Sequence, residues 1–349
     1  MLIFIIKILF LTTISFLVAI LWTPLLTRFL YKNKLGKQIR DEKATPIFAK
    51  LHQVKRGTPT MGGVLIWVTT AFLILLIFYL ARLTNSPIFK SLNFLSRGQT
   101  LLPLGALVAS GIVGLIDDFL NVRGLGRVNG GGFRMRHRIL LYTLIAFFGA
   151  YWFYFKLDWD QIHIPFLGDF NIGFWYVPIF LFVSIATAFS VNEIDGLDGL
   201  AGGVVLIILA AFGVISFVQG RYDLATFCGV IIGSLVAFLW FNIYPARFFM
   251  GDTGAMSLGV TVGILAMLTN TIFLLPIIGF LLVVESLSVI IQSLSKKFFH
   301  RKVFLSSPIH HHLEAIGWPE PKIVMRFWLI GGICAALGLM IFLIERLFV

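Results

Sequence analysis

The stretch MGGVLIWVTTAFLILLIFYLA at residues 61–81 contains no charged side chain and decides the class of fold. A helix needs about 20 consecutive apolar residues to cross the hydrocarbon core of a bilayer. Similar stretches recur along the chain, and their continuous apolarity indicates helices, since membrane-barrel strands are shorter and alternate in polarity. We therefore predict an all-α integral membrane protein of about ten spans, forming one polytopic domain over residues 1–349. The spans lie near residues 3–27, 61–81, 100–117, 139–155, 174–191, 199–218, 224–243, 254–269, 272–294 and 326–345.

The distribution of charge predicts the orientation of these spans. Hydrophobic residues make up 58% of the chain and charged residues 13%, far from the averages of soluble domains. A net charge of +12 can indicate a nucleic-acid partner, but 21 of the 28 lysines and arginines fall in loops on one side of the predicted membrane. Because such loops are cytoplasmic, both termini are predicted to be periplasmic, and no nucleic-acid partner is expected. The basic loops comprise residues 28–56, 123–138, 247 and 296–326.

Carboxylates are rare in this chain, so their positions are informative. Five aspartates lie at the predicted cytoplasmic ends of spans, on three different loops: Asp117, Asp118, Asp195, Asp198 and Asp252. We expect them to converge on one site at the cytoplasmic face. The alternative is the ion path of an ion-coupled transporter, although transporter sites usually lie near the bilayer midplane.

The pair Asp117-Asp118 ends the apolar run LVASGIVGLIDDF at residues 107–119. Two carboxylates at a helix C-terminus repel each other and oppose the helix dipole. A bound cation would relieve this repulsion. A helix that simply ends in the wet headgroup layer is the alternative.

The segment NEIDGLDGL at residues 192–200 places Asp195 and Asp198 three residues apart, a spacing that puts both side chains on one helical face. Asn192 precedes Asp195 by the same interval. The neighbouring glycines allow close approach by a ligand or by another helix. Helix packing accounts for the glycines but leaves the paired aspartates unexplained.

Two further segments carry groups suited to metal or phosphate. Asp252 lies in FFMGDTGAMS at residues 248–257, where it is either a ligand or the N-cap of the following span. The segment KRGTPTMGG at residues 55–63 offers a lysine and threonine hydroxyls to phosphate oxygens, although a basic flank that only orients the next span has the same composition.

Three consecutive histidines, His310 to His312, lie in the segment SPIHHHLE at residues 307–314. Consecutive residues on a helix point about 100° apart, so the three cannot all address one ligand, which disfavours a zinc site. Among basic residues, such a loop is suited to handling phosphate. A solvated histidine-rich loop is the alternative.

Taken in order, these segments resemble the polyprenyl-phosphate N-acetylhexosamine-1-phosphate transferase superfamily, and especially its phospho-N-acetylmuramoyl-pentapeptide transferase branch. The similarity spans nearly the whole chain, and the three-histidine block is its most branch-specific part. Sister enzymes that use UDP-N-acetylglucosamine differ there. The matching segments are KRGTPTMGG at 55–63, DDF at 117–119, IDGLDGLAGG at 194–203, FNIYPARFFMGDTGAMSLG at 241–259 and SPIHHHLEAIGWPEPKIVMRFW at 307–328.

The resemblance implies a reaction, partners and a location. UDP-N-acetylmuramoyl-pentapeptide and undecaprenyl phosphate would give UMP and the lipid-linked product lipid I, with Mg²⁺ as cofactor. The enzyme would be a multi-pass homodimer surrounded by lipid in the bacterial inner (plasma) membrane. A sister transferase acting on UDP-N-acetylglucosamine is the alternative within the superfamily.

The resemblance also implies the roles of individual residues. It makes Asp252 and Asp117 the Mg²⁺ ligands, and it places Asp118 and His310 with them in the catalytic group. The implied substrate-binding residues are Lys55, Thr60, Asn192, Asp195, Gly196, Leu197, Asp198, Asn242, Phe249, Gln292, His311 and His312.

The chain departs from the family pattern at two positions. Asn121 stands where a lysine often follows the Asp-Asp pair, and Arg138 replaces a later loop lysine, which keeps the charge but changes its geometry. The expected mechanism is direct attack of the lipid phosphate on the sugar-bearing phosphate, with Asp117 orienting the acceptor or taking any residual proton. A covalent aspartyl-phosphate intermediate is the competing scheme.

Overall fold

The computed structural model describes residues 1–36, 55, 57–125 and 131–348, and most of these residues are helical. A helix satisfies its backbone hydrogen bonds internally, which is what continuous apolar segments require in a bilayer. In chain order the helices are α1 Leu2–Lys32, α2 Val64–Leu83, α3 Pro87–Leu92, α4 Leu101–Val122, α5 Met135–Lys156, α6 Tyr176–Ile194, α7 Leu200–Val218, α8 Tyr222–Asn242, α9 Gly251–Leu268, α10 Leu275–Ile278, α11 Phe280–Phe298, α12 Ile309–Ala315 and α13 Glu320–Phe348.

Nine helices in the described part of the chain are long and apolar enough to cross a membrane, and each matches a predicted span. The predicted span at 272–294 differs. It is divided at Gly279 into the short helix α10 and the longer helix α11. Helix α11 carries Glu285, Lys296 and Lys297, and this charge sets it apart from the nine. The sequence therefore identified the helical class correctly, but a single continuous helix at 272–294 was wrong.

The all-α prediction also misses a small antiparallel hairpin between α5 and α6, formed by β1 Gln161–Ile164 and β2 Gly168–Asn171. Strands of four residues are too short to give a clear alternating pattern. The imidazole of His163 lies 2.8 Å from Asp169 in β2 and 2.8 Å from Glu345 in α13, which ties the hairpin to the last helix. The hairpin follows the end of α5 that is remote from Arg138.

Helix α9 is the centre of the bundle. Asp252 is its single residue that is not buried. The helix packs against α4 and α6 through close backbone contacts. A Cβ atom at Gly114 of α4 would lie 2.5 Å from the carbonyl oxygen of Asp252, and one at Gly259 would lie 2.6 Å from Cα of Ala188 in α6. Glycine at these two positions lets the three helices approach closely enough for their polar ends to meet.

Candidate active site

Asp118 joins the end of α4 to the start of α9. Its two carboxylate oxygens accept hydrogen bonds from the backbone N–H groups of Asp252 and Thr253, at 3.1 and 3.0 Å. The first N–H groups of a helix have no partner within that helix, so a carboxylate from a neighbouring helix stabilises this end. Asp118 is buried and thereby fixes the position of Asp252.

Asp117 and Asp252 meet at the guanidinium of Arg138, and we call these three residues the arginine triplet. The Nε atom of Arg138 lies 2.6 Å from Asp117, and its Nη1 atom lies 3.0 Å from Asp252. Asp117 also accepts a hydrogen bond from the backbone N–H of Phe133 at 2.5 Å, and Asp252 accepts one from the side-chain amide of Asn192 at 2.7 Å. These contacts bring together Asp117, Asp118 and Asp252, three of the five aspartates expected at one site. Asp198 belongs to a different cluster.

The arginine triplet has the donor chemistry of a magnesium site. Mg²⁺ prefers oxygen ligands and is commonly held by one or two carboxylates together with substrate phosphates. Asp117 and Asp252 supply two carboxylates that already share one cationic partner, so these residues fit the ion. Among the described residues there is no group of three or more His, Cys, Asp and Glu side chains placed to hold a metal. Substrate oxygens would therefore complete the coordination.

A second cluster, which we call the lysine triplet, places Lys55 between Asp198 and Glu320. The Nζ atom of Lys55 lies 2.6 Å from Asp198 and 2.5 Å from Glu320. Both acids also bind backbone: Asp198 accepts from the N–H of Ala246 at 3.0 Å, and Glu320 accepts from the N–H of Asp198 at 2.6 Å. These contacts join the predicted phosphate-binding segment to the loops after α6 and α8 and to the start of α13.

A cavity of about 190 Å³ opens beside the lysine triplet. Its wall includes the ring of Phe249, whose centroid lies 5.8 Å from Nζ of Lys55. A lysine, two carboxylates and an aromatic face provide both polar and stacking contacts for a small ligand. The lining residues are Lys55, Thr58, Asp198, Tyr244, Pro245, Ala246, Phe249 and Glu320.

Other predicted substrate residues build this region without lining the cavity. The side chain of Asn242 accepts from the N–H of Gly199 at 3.0 Å and donates to the carbonyl of Phe248 at 2.9 Å, so it ties two loops together. Leu197 and Thr60 are buried. Asp195 ends α6 and is half-buried at the start of the turn that leads to Asp198.

The three histidines contact three different partners, as their predicted helical spacing requires. His310 is completely buried, with Nδ1 3.0 Å from Glu285 of α11. His311 lies 2.6 Å from Glu314 of its own helix α12, and Nδ1 of His312 accepts from the backbone N–H of Leu305 at 3.2 Å. This arrangement therefore does not direct the three histidines at one shared ligand.

Gln292 has a local partner in the structure. Its oxygen accepts from the N–H groups of Val303 and Phe304, both at 3.0 Å, and its nitrogen donates to the carbonyl of Phe304 at 2.9 Å. All these bonds go to the loop after α11. The predicted role of Gln292 in substrate binding stays a prediction, whereas its hold on this loop is observed.

Sequence reasoning missed two acidic residues that organise the site. Glu320 was not singled out, because only the folded chain brings it to Lys55, 265 residues away in sequence. Glu285 gave a readable signal: it is a single carboxylate in the predicted apolar span at 272–294. A charge inside such a span is expensive and usually has a specific partner.

Comparison with known proteins decides the family. Residues 99–270 match the family model described as Glycosyl transferase family 4, and residues 55–66 match signature 1 of phospho-N-acetylmuramoyl-pentapeptide-transferase. A protein of that name from Chloroflexus aggregans is 39% identical over 90% of this chain and 84% of its own length. The chain belongs to the phospho-N-acetylmuramoyl-pentapeptide-transferase family.

Other relatives of the same name extend this match across most of the chain. One from a Geobacillus species is 38% identical over 94% of this chain and 95% of its own length. Another, from Clostridium novyi, is 37% identical over 93% and 94%. Membership of this family, together with the nine apolar helices, identifies a multi-pass bacterial membrane protein.

Proposed function

We propose that this protein transfers phospho-N-acetylmuramoyl-pentapeptide from its UDP carrier to undecaprenyl phosphate, giving lipid I and UMP. The observation that carries the proposal is the pairing of two different clusters in a chain of this family. The arginine triplet provides carboxylates for phosphate-bound metal, and the lysine triplet borders a cavity for a small polar ligand. The segment from Phe249 to Asp252 connects them directly.

We place the nucleotide of the donor in the cavity beside Lys55. The ring of Phe249 offers a stacking surface to the base, while Lys55 and the adjacent N–H groups suit phosphate oxygens. Lys55 is paired with both Asp198 and Glu320. The donor phosphate would therefore bind the third N–H of Lys55 or take the place of one carboxylate partner.

Asp117 and Asp252 would hold Mg²⁺. When bound, the ion would neutralise charge on the pyrophosphate and stabilise the departing UMP. Asp118 keeps Asp252 at the end of α9, and Asn192 orients its carboxylate from the other side. Arg138 contacts both metal-ligand candidates, so its guanidinium would have to share them with the ion or move aside.

The transfer itself is a displacement at the sugar-bearing phosphorus. An oxygen of the lipid phosphate forms the new P–O bond, and the bond to UMP breaks. A phosphomonoester has a second pKa of about 6, so the nucleophile is largely dianionic at neutral pH and needs little help from a base. In this scheme Asp117 orients the nucleophile or takes a residual proton. The competing route first forms a covalent phosphoryl bond to an aspartate.

We further propose that the single polytopic domain lies in the inner membrane with both termini periplasmic, so that both triplets face the cytoplasm. The basic loops support this orientation. The relatives support a lipid phosphate as acceptor, and we propose a homodimer on the basis of the family resemblance.

The deciding experiment measures UMP release by the purified full chain. The assay contains UDP-N-acetylmuramoyl-pentapeptide, undecaprenyl phosphate and Mg²⁺, with UDP-N-acetylglucosamine tested as a second donor. Release from the pentapeptide donor alone, abolished by EDTA and restored by Mg²⁺, is the expected result. Turnover of the second donor would assign the protein to a sister activity, and exchange of labelled UMP without lipid acceptor would favour the covalent route.

A further inference from the structure

Glu285 is the single charged residue in the first half of α11. Its side chain is completely buried, and its Oε2 atom lies 3.0 Å from Nδ1 of His310, which is also completely buried. Burying a charged group is costly unless it is paired, and even paired buried ions are often no more stabilising than apolar residues of the same size. Stability alone therefore gives little reason for this pair.

The other atoms of this pair are unsatisfied. Within the part of the chain that the structure describes, neither Oε1 of Glu285 nor Nε2 of His310 has a hydrogen-bond partner. Buried polar atoms without partners are rare, and each is a candidate for a role other than stability. A second acid of this region, Glu193, has a partner of its own, because its carboxylate accepts from the hydroxyl of Ser286 at 2.6 Å.

His310 packs directly against the turn between α6 and α7. A Cβ atom at Gly196 would overlap Nε2 of His310, so only glycine allows the imidazole to sit this close to the backbone. This turn carries Asp195 and Asp198, and Asp198 belongs to the lysine triplet at the cavity. The contacts thus run from Glu285 through His310 to the segment that borders the cavity.

We propose that Glu285 is a positioning residue for this segment. By accepting the Nδ1–H of His310, its carboxylate fixes one tautomer and one ring orientation, with Nε2 toward Gly196. The imidazole then supports the turn that holds Asp195 and Asp198 for the donor. This inference rests on the proposed function, because the proposed function supplies the donor that this turn would bind.

The test is UMP release by Glu285→Gln, with Glu193→Gln as the matched control. The control neutralises a partly buried acid on the neighbouring helix α6, bound to Ser286, and leaves the contact between Glu285 and His310 intact. Residues that orient a functional histidine typically contribute about 10- to 100-fold. We expect a loss of this size in kcat/KM for Glu285→Gln, and a change of less than about twofold for the control.

A double-variant comparison distinguishes positioning from a general structural effect. If Glu285 acts through His310, adding Glu285→Gln to His310→Ala gives no further loss, whereas independent effects multiply. Carbethoxylation of His310 by diethyl pyrocarbonate, followed by mass spectrometry, supplies a readout without turnover. We expect stronger labelling of His310 in Glu285→Gln than in the wild type or the control.

The outcomes separate the two proposals. Wild-type protein that releases no UMP contradicts the proposed function, and the labelling result then decides the positioning role by itself. An active wild type with Glu285→Gln equal to the control in rate and labelling overturns the positioning role alone. The positioning role is also overturned if Glu285→Gln lowers kcat/KM by the same factor in the His310→Ala variant as in the wild type. If Glu285→Gln does not fold, Glu285→Asp, which keeps the charge but shortens the reach, is expected to give a smaller loss of the same kind.

Discussion

The arginine triplet and the lysine triplet are built on the same plan: one basic side chain between two carboxylates from distant parts of the chain. Each has a formal charge of −1, and in each the acids keep a further hydrogen bond when the base is removed. They differ in the base. Arg138 holds its two partners with separate nitrogens, whereas Lys55 uses a single one.

That difference separates a fixed position from an exchangeable one. A guanidinium is planar and fixes the positions of its nitrogens relative to one another, while an ammonium is a point charge whose three donors rotate freely. The arginine triplet therefore keeps Asp117 and Asp252 at a defined separation. The lysine triplet, which borders the cavity, can release Lys55 to an incoming phosphate without dismantling the site.

The largest effect is expected from Asp252→Ala, which removes a shared partner of Arg138 and a proposed metal ligand. Loss of a group that stabilises transition-state charge costs about 100- to 1000-fold, and we expect UMP release to fall by at least this factor. Asp169→Asn in the hairpin is the control, since its exposed carboxylate contacts His163, away from both triplets. Similar rates for the two variants would show that Asp252 is not part of the active site.

Replacement of Arg138 tests whether charge or geometry matters in the arginine triplet. We expect Arg138→Met to lose about 100-fold in UMP release, since two carboxylates are left to repel each other, and Arg138→Lys about tenfold, since one ammonium cannot reproduce the fork. The measurement is kcat across a Mg²⁺ titration. Equal activity of Arg138→Lys and the wild type would show that charge alone is required.

Replacement of Lys55 should act mainly on binding. Because Asp198 and Glu320 retain backbone partners, Lys55→Met should leave the loops in place while weakening the donor's phosphate contacts. We expect KM for the donor to rise about tenfold, the value of one charge-assisted hydrogen bond, with a smaller change in kcat. A fall in kcat with KM unchanged would show that Lys55 acts in the transition state and not in donor binding. Lys55 and Arg138 would then have the same kind of role.

The smallest effect is expected outside both triplets, at Gly196. Its substitution by alanine would push His310 away and shift the turn that carries Asp198, which we expect to lower kcat/KM about threefold to tenfold. Gly332→Ala in α13 is the control, because a Cβ there meets no atom within 4 Å. If both variants match the wild type, the turn does not depend on contact with His310.

Much of this arrangement could be predicted from sequence, for identifiable physical reasons. Continuous apolarity predicted the spans, and the lysines and arginines of the loops predicted which span ends lie on the same side of the membrane. For this reason Asp117, Asn192 and Asp252 were expected together. The pairing of Lys55 with Glu320 was not predictable, since it depends on how helices far apart in sequence pack. The break at Gly279 also escaped, because an apolar pattern continues across it.

Gln292 and Asp118 show a subtler limit. The family resemblance implies ligand contacts for both, and these contacts stay predictions; the structure shows their polar atoms bound to backbone groups of a nearby loop and of a helix end. The sequence shows that a polar group is present in an apolar setting. Only the folded structure shows which partner forms a hydrogen bond with it.

The burial of α9 determines how fast its backbone amides exchange with solvent. Its amides lie in the centre of the bundle, so they should be among the slowest in the protein to exchange with deuterium. Helix α5, which carries Arg138, buries only five of its residues against other helices, whereas α9 buries all but Asp252. The arginine triplet thus joins a helix enclosed by the bundle to a helix at the edge of the bundle, whose outer face is available to lipid.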